Sequence, residues 1–113
     1  MRRIVYAGTV FYTGDRIASA VLEYARALAR HGTADTVMVP SRTSAGDLDS
    51  VEVLLGPASQ MASEPAELVG VEIEDAGFVA DIERLTAALG PLRPAPEEPA
   101  PNPGTAATYD DLL

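Results

Sequence analysis

The stretch from Thr13 to Gly32 constrains this chain most, because its apolar and charged residues separate at the helical period. At about 100° per residue, the apolar side spans an arc of about 160° and the charged side an arc of about 80°. The apolar side comprises Ile17, Ala18, Val21, Leu22, Tyr24, Ala25, Leu28 and Ala29, and the other side comprises Arg16, Ser19, Glu23, Arg26 and Arg30. An apolar arc this wide predicts a helix that lies flat on a sheet rather than in a narrow coiled-coil seam.

Both ends of this helix carry sequence signals. Thr13 is the expected N-cap, because its hydroxyl can accept a hydrogen bond from a free amide of the first turn. Tyr12 and Ile17 would then form a hydrophobic staple, and Asp15 would meet the positive end of the helix dipole. Gly32 can adopt the left-handed conformation that ends many helices. These signals predict a helix over residues 14–31.

Short runs rich in β-forming residues flank this helix and predict a small sheet. A first strand is expected over residues 3–7, with Gly8 as a bulge or turn and residues 10–12 as its continuation. Three further strands are expected, over residues 36–39 with Pro40 as their stop, over 51–55 and over 69–73. The loop between the second and third strands is too short for a usual parallel crossover, so these two strands should form a hairpin. Residues 58–68 fit either a loop or a short helical turn.

Residues 78–89 predict a second helix, with Asp75 as the expected N-cap. Its apolar stripe spans about 60° and consists of Phe78, Ile82, Leu85 and Leu89. The composition then changes, because residues 91–113 hold six of the nine prolines. We expect this acidic, proline-rich tail to be disordered or docked on a partner.

Together these elements predict a compact α+β domain over residues 1–90 and a separate tail over 91–113. The expected architecture is a two-layer sandwich, in which a mixed or antiparallel sheet of three to four strands carries two helices on one face. The expected element order is β-α-β-β-β-α. If the first strand, first helix and second strand formed a parallel unit, their crossover should be right-handed.

Charge is unevenly distributed along the 113 residues, which contain eight arginines, no lysine and 17 acidic residues. Residues 1–44 hold six arginines and three acids, a net charge of +3, whereas residues 45–113 hold two arginines and 14 acids, a net charge of −12. The acidic part argues against general nucleic-acid binding, which depends on neutralising phosphates.

No apolar run approaches the ~20 residues that span a bilayer, so we expect no membrane segment. Without cysteine there are no disulfides or thiolate metal sites, and we expect a cytoplasmic location.

Few residues have the type and spacing of a catalytic or metal site. His31 falls at a helix end, where capping or exposure explains it better than metal binding. Asp47 and Asp49 match only a fragment of an EF-hand loop. Glu72 and Glu74 could act as paired catalytic carboxylates, but such a pair more often marks the solvent face of an edge strand. We therefore expect no catalytic residue, no metal and no cofactor.

Two sets of residues are candidates for partner binding. The segment Tyr109, Asp110, Asp111, Leu112 and Leu113 follows the proline-rich spacer and could dock in a groove of a neighbouring subunit or of its own sheet. A frayed chain end is the alternative explanation of this segment. The arginines of the first helix, Arg16, Arg26 and Arg30, could receive an acidic partner. A solvated helix face, in which Glu23 pairs with Arg26, is the simpler explanation of these arginines.

Two stretches, TGDRIASAVLEYARALA and VEVLLGPASQM, resemble parts of small uncharacterised proteins from high-GC Gram-positive (actinobacterial) bacteria. The resemblance covers residues 3–90. It implies no activity, cofactor or site residue, and it argues against a familiar enzyme.

The sequence favours a non-enzymatic protein-interaction or accessory module that binds a protein partner or forms a homodimer. Three features support this interpretation. The core is minimal, the tail ends in apolar residues, and the sequence has no group of residues expected to converge in a catalytic site. One alternative is a small-molecule sensor or small enzyme, with a site near Tyr6, Tyr12, residues 56–60 and the strand carboxylates. Another alternative is an antitoxin-like or inhibitor protein, whose acidic half covers a basic partner.

Overall fold

The computed structural model describes residues 1–67 and 70–91 of the chain. Its elements are β1 (Arg2–Tyr6), β2 (Thr9–Thr13), α1 (Asp15–Arg30), β3 (Asp35–Arg42), β4 (Leu48–Leu55), β5 (Met61–Pro65) and α2 (Ala76–Leu89). The strands form one antiparallel sheet in the order β4-β3-β2-β1-β5. The predicted α+β class is therefore confirmed, with five strands in place of the expected three to four.

Ala7 and Gly8 join β1 and β2 in a tight hairpin, where a single interrupted strand was expected. Tyr6 pairs with Thr9, and the two loop residues both have positive φ, 49° at Ala7 and 82° at Gly8. Two positive φ angles are typical of a type I′ turn, whose twist matches that of the flanking strands. The sequence carries only half of this signal, because asparagine, aspartate or glycine is usual where Ala7 stands. The element order is thus β-β-α-β-β-β-α rather than β-α-β-β-β-α.

Helix α1 covers the inner face of the sheet with the side that its periodicity predicts. Ile17, Val21 and Leu28 are buried and Leu22 is half-buried, whereas the arginines of α1 are exposed. The strands contribute Ile4, Phe11, Val37, Val39, Val53 and Leu55 to the same core. Each aliphatic side chain buried in this way stabilises the fold by about 1.5–3 kcal/mol. No parallel unit forms, because β2 and β3, the strands on either side of α1, run antiparallel.

The start of α1 differs from the prediction, because Thr13 is not its cap. The N-cap is Gly14, whose backbone is extended. Thr13 is buried instead, and its hydroxyl donates to the carbonyl of Pro40 at 2.7 Å. The first amide of the helix, that of Asp15, donates to Oε2 of Glu72 at 2.8 Å. A carboxylate from a distant segment therefore provides the cap that the preceding threonine was expected to provide.

The end of α1 agrees with the prediction. Gly32 has a φ of 65°, in the left-handed region. Its amide donates to the carbonyl of Ala29, and the amide of Thr33 donates to that of Leu28 at 3.1 Å. These two bonds form a Schellman motif, which satisfies carbonyls that the last helical turn leaves without partners.

The predicted hairpin of the second and third strands is confirmed as β3 and β4, although both strands are longer than expected. Pro40 lies within β3 and does not end it. Its carbonyl accepts from Thr13, so this residue's backbone polar groups point away from β4. On the side that faces β2, β3 is paired with its neighbour only between Tyr12 and Arg42. The missing N–H of the proline therefore costs no bond of the sheet.

The predicted strand over residues 69–73 is wrong as far as it can be compared. Residue 69 lies outside the described residues, and residues 70–75 do not form a strand. The fifth strand, β5, forms instead within residues 58–68, where a loop or short helical turn was expected, and it pairs antiparallel with β1. The apolar-polar alternation does not mark one buried face here, because Val71 is 77% exposed, whereas Ile73 packs against the core and Glu72 caps α1.

Helix α2 forms where the sequence predicts it and packs against α1 on the same side of the sheet. Oδ1 of Asp75 accepts the amide of Phe78 at 2.9 Å, so the expected N-cap is confirmed. Val79 and Ile82 are buried in the common core, whereas Leu85 is 44% exposed. The apolar stripe of α2 is therefore only partly covered.

Tyr6 shows how strongly the sheet is coiled. Its hydroxyl donates to the carbonyl of Leu54 at 2.7 Å and accepts the amide of Leu54 at 2.9 Å. In a flat sheet β1 and β4 would lie three strand spacings, about 14 Å, apart, well beyond the reach of a tyrosine side chain. The sheet therefore curls around α1 until the β1 and β4 regions meet.

Tyr24 fixes α1 to the beginning of β3. Its hydroxyl donates to Oδ2 of Asp35 at 2.6 Å, and the ring is buried. Burial, together with this hydrogen bond to a carboxylate, raises the pKa of Tyr24 to about 12. Tyr24 therefore remains neutral in the folded protein at a pH where an ordinary tyrosine ionises.

Replacing Ala7 with asparagine should stabilise the protein by about 1 kcal/mol, because asparagine adopts positive φ at less cost than alanine. The measurement is the free energy of unfolding in urea. Ala62→Asn is the control, because Ala62 is also exposed but lies in β5 without positive φ. An Ala7→Asn protein no more stable than the parent would contradict this account of the turn.

Candidate functional site

The sheet surface that faces away from the helices, here called the outer face, carries exposed apolar side chains. Leu48 is 71% exposed, Met38 and Leu54 are each 55% exposed, and Val10 is 41% exposed. Alternation along the strands turns these residues away from α1, whereas Val37, Val39 and Val53 point inward and are buried. Strands β3 and β4 thus carry apolar residues on both faces, although the described helices cover only the inner one.

The apolar residues of the outer face on β3 and β4 form a continuous diagonal stripe. In the register of this hairpin, Met38 faces Glu52, Pro40 faces Ser50 and Arg42 faces Leu48. Diagonal neighbours on one face of a sheet lie about 7–8 Å apart, within reach of one another's side chains. The stripe therefore consists of Leu54, Met38, Pro40 and Leu48, and the exposed Glu52 and Ser50 lie beside it on β4.

A cation separates this stripe from a second apolar pair. Arg42 faces Leu48 on one side and Tyr12 on the other, and Val5 is paired directly with Val10 beyond them. Arg42 donates from Nε to the Val71 carbonyl at 3.0 Å and from Nη1 to the Gly46 carbonyl at 2.7 Å. Within the described ranges, no carboxylate lies at ion-pair distance from this guanidinium. The outer face thus carries apolar residues on both sides of the Arg42 guanidinium.

The edge of β4 is less suited to docking than the outer face. Both backbone polar groups of Leu54 are bonded to Tyr6, and the amide of Ser50 donates to its neighbour Asp49 at 2.8 Å. Edge groups bonded in this way are not available to an added strand. We therefore take the outer face, rather than this edge, as the candidate interaction site.

The three arginines predicted to bind a partner do not form one cationic patch. Arg26 forms an ion pair with Glu23 on the same helix, as the sequence suggested. Arg16 lies at the start of α1, where carboxylates surround it, and Arg30 is exposed in the last turn. The Glu23–Arg26 pair is exposed, and such pairs contribute little to stability.

A groove of about 610 Å³ runs between α1 and α2. Ala20 and Val79 contribute apolar surface, Asp15, Glu23 and Glu83 contribute carboxylates, and Arg16 contributes one guanidinium. Among the described residues, no group of three or more histidine, aspartate or glutamate side chains could hold a metal ion. The groove is open and acidic, and nothing in its geometry indicates a specific ligand.

Only part of the expected sensor site comes together. Tyr6 and residues 56–60 line a depression of about 320 Å³. Tyr12 lies on the outer face, and Glu72 lies at the start of α1. The hydroxyls of Tyr6 and Ser59 are both bonded to the backbone of Leu54. The depression therefore lacks the convergent carboxylates that the sequence hypothesis placed there.

Glu72 and Glu74 have different structural roles and do not form a catalytic pair. Oε1 of Glu72 lies 3.0 Å from the amino group of Met1, and Oε2 caps α1. The Met1 amine also donates to Asp15 at 2.7 Å, and this bond, with the pairing to Glu72, raises the pKa of the amine. Glu74 is exposed. Glu72 thus holds together the chain start, the helix start and the segment before α2.

His31 connects the ends of the two helices. Its Nε2 lies 3.0 Å from the carbonyl of Gly90, just beyond α2. His31 is also the C-cap of α1, so the capping role suggested by the sequence is confirmed, whereas the contact with Gly90 was not expected. The other predicted binding segment, Tyr109–Leu113, lies outside the described residues.

Comparisons with protein families, curated proteins and solved structures found no match to this chain. In the part of the chain that the structure describes, neither helix combines the length and apolarity needed to cross a bilayer.

Replacing Glu72 with glutamine should destabilise the protein by about 1–3 kcal/mol, because its charged hydrogen bonds to the Asp15 amide and the Met1 amine are weakened. The matched control is Glu74→Gln, which should change the free energy of unfolding by less than about 0.5 kcal/mol. Urea unfolding of both proteins provides the comparison. Equal losses in the two variants would contradict the capping role of Glu72.

Proposed function

We propose that this protein is a non-enzymatic interaction module that binds a protein partner through the outer face of its sheet. The observation that carries the proposal is the exposure of Leu48, Leu54 and Met38 on a face that no described helix covers. Contiguous exposed apolar surface of this kind is typical of interaction sites. A second copy of the chain is a candidate partner, and a cytoplasmic location is part of the proposal.

The energetics of a protein interface favour this face over the other surfaces described. Burying a large apolar side chain contributes about 1.5–3 kcal/mol, so a few such residues can act as the anchors of an interface. Arg42, which has backbone carbonyl partners in the described ranges, would add a charge that selects for a carboxylate on the partner. The favoured partner surface therefore combines apolar side chains with an acidic residue.

The acidic groove between α1 and α2 supports a second candidate function. Asp15, Glu23 and Glu83 would complement a basic helix or peptide, as the inhibitor-like hypothesis requires. Its walls carry less large apolar surface than the outer face, so we rank it second. The proposed arginine contacts, Arg16, Arg26 and Arg30, would have to act separately in either case, because their surroundings differ.

The double substitution Met38→Glu and Leu54→Glu should weaken partner binding by about tenfold or more, which corresponds to about 1.4 kcal/mol. Both residues are more than half exposed, so folding should be little affected. The experiment compares retention of proteins from an extract of the source organism, and self-association in sedimentation velocity, with full-length protein. Leu85→Glu is the control, because it places a carboxylate on an exposed leucine of α2.

Loss of a retained protein or of self-association in the outer-face variant alone would support the proposal. If the outer-face variant and the parent behaved identically, the outer face would not be the binding site. If Leu85→Glu caused the loss instead, the helix side of the molecule would be the interface.

A further inference from the structure

We infer that the segment Tyr109–Leu113 of the same chain docks on the outer face and competes there with the partner. This inference rests on the proposed function, because it assigns an internal occupant to the same face. Three features support it, namely the place where the described chain ends, the length that follows, and the match of charge and apolarity.

The described chain ends near the beginning of the apolar stripe. Gly90 contacts the ring of His31 at 3.0 Å, and three residues later Ala34 packs against the backbone of Gly56. Leu54, the first residue of the stripe, lies two positions before Gly56. The residues that follow α2 therefore leave the domain at the end of the sheet where the stripe begins.

The intervening length is sufficient to place the segment anywhere along the stripe. Residues 91–108 are 18 residues, and a chain of that length spans at most about 60 Å. The stripe from Leu54 to Leu48 covers six residues of one strand, or about 20 Å. A tether that easily spans its target gives a high effective concentration, typically in the millimolar range. Even a weak individual contact can then be populated within one molecule.

The chemical order of the segment matches that of the outer face. The segment reads aromatic, acidic, acidic, aliphatic, aliphatic from Tyr109 to Leu113. The outer face presents Val10 and Tyr12, then Arg42, then the aliphatic stripe, in which the exposed Glu52 lies opposite Met38. The aspartates can therefore approach Arg42, for which the described residues provide no carboxylate, while Leu112 and Leu113 cover the stripe. The α1–α2 groove, by contrast, is lined by three carboxylates and one arginine, Arg16, so its net negative charge disfavours the same aspartates.

Docking of this kind would make the segment an internal competitor. A partner would bind only those molecules whose outer face is uncovered, so its apparent affinity would be reduced by that fraction. Substitutions that release the segment should then tighten partner binding, whereas substitutions in the outer face should weaken it. These opposite changes in partner affinity distinguish two models. In one model the segment competes with the partner, and in the other the segment itself contacts the partner.

The absence of cysteine provides a direct test on the full-length protein. An Ala107→Cys substitution creates a single thiol for a nitroxide spin label, and methyl NMR then reports which side chains lie near it. We expect the Met38, Leu48 and Leu54 methyl signals to lose about half their intensity or more. A loss of this size corresponds to a docked state that is at least as populated as the open state. The Leu85 and Val79 methyls, on α2, should keep theirs.

Matched variants identify the contacts responsible. Leu112→Ser with Leu113→Ser should restore the outer-face signals, and Asp110→Asn with Asp111→Asn should restore them in part. Glu97→Gln with Glu98→Gln is the control, because it removes the same number of charges from the spacer and should leave the broadening unchanged. Broadening that persists in the leucine variant would overturn the inference.

Mixing separates docking within one chain from docking between copies. Isotope-labelled protein without the thiol is mixed with spin-labelled protein of natural isotope abundance. The mixture is compared with a sample in which each molecule carries both the isotope label and the spin label. Docking within the chain is supported if the outer-face signals are broadened in that sample and undiminished in the mixture. Broadening in the mixture would show that the segment docks on a second copy. Absence of broadening in both samples would show that the segment does not dock. Either result would overturn the inference. If the outer-face glutamates still abolish partner binding in that case, the proposed function stands and only the internal occupant is wrong.

Discussion

Burial of one side of α1 in a coiled antiparallel sheet is the interaction on which the rest of the structure depends. Ile17, Val21 and Leu28 fill the concave face, and the sheet curls far enough for Tyr6 to bond the backbone of Leu54. With only two phenylalanines in the sequence, the core relies on aliphatic side chains packed from both layers. Because a single helix layer provides this burial, the helices of the described part of the chain cover only one face of the sheet.

A second set of interactions holds the remaining segments to this unit. Glu72 caps α1 and pairs with the Met1 amine, and a side chain at Gly14 would collide with the carbonyl of Ile73. The segment before α2 therefore passes directly over the start of α1, which in turn positions α2 along it. His31 closes the arrangement at the other end through Gly90.

Periodicity and local turn chemistry predicted the helices, the β3–β4 hairpin and the buried side of α1 correctly. The errors arose where tertiary contacts replace local ones, as when Glu72 rather than Thr13 caps α1. Ala7 obscured the first hairpin, because alanine seldom occupies a turn position with positive φ. The outer face was missed although a signal existed, since Val37, Met38 and Val39 make β3 apolar on both sides. Which of two apolar faces a helix covers depends on topology, which short-range patterns do not specify.

The central claim is that the two faces of one hairpin differ in their access to solvent, and two serine positions test it most directly. Ser41 on β3 points inward and is buried, whereas Ser50 on β4 points outward and is exposed. In the cysteine-free chain, Ser41→Cys and Ser50→Cys each provide one thiol, and the measurement is its rate of reaction under native conditions. The account predicts that Ser41→Cys reacts at least about 10³-fold more slowly than Ser50→Cys, because its thiol is exposed only on unfolding. Equal rates, or faster reaction at position 41, would contradict the account.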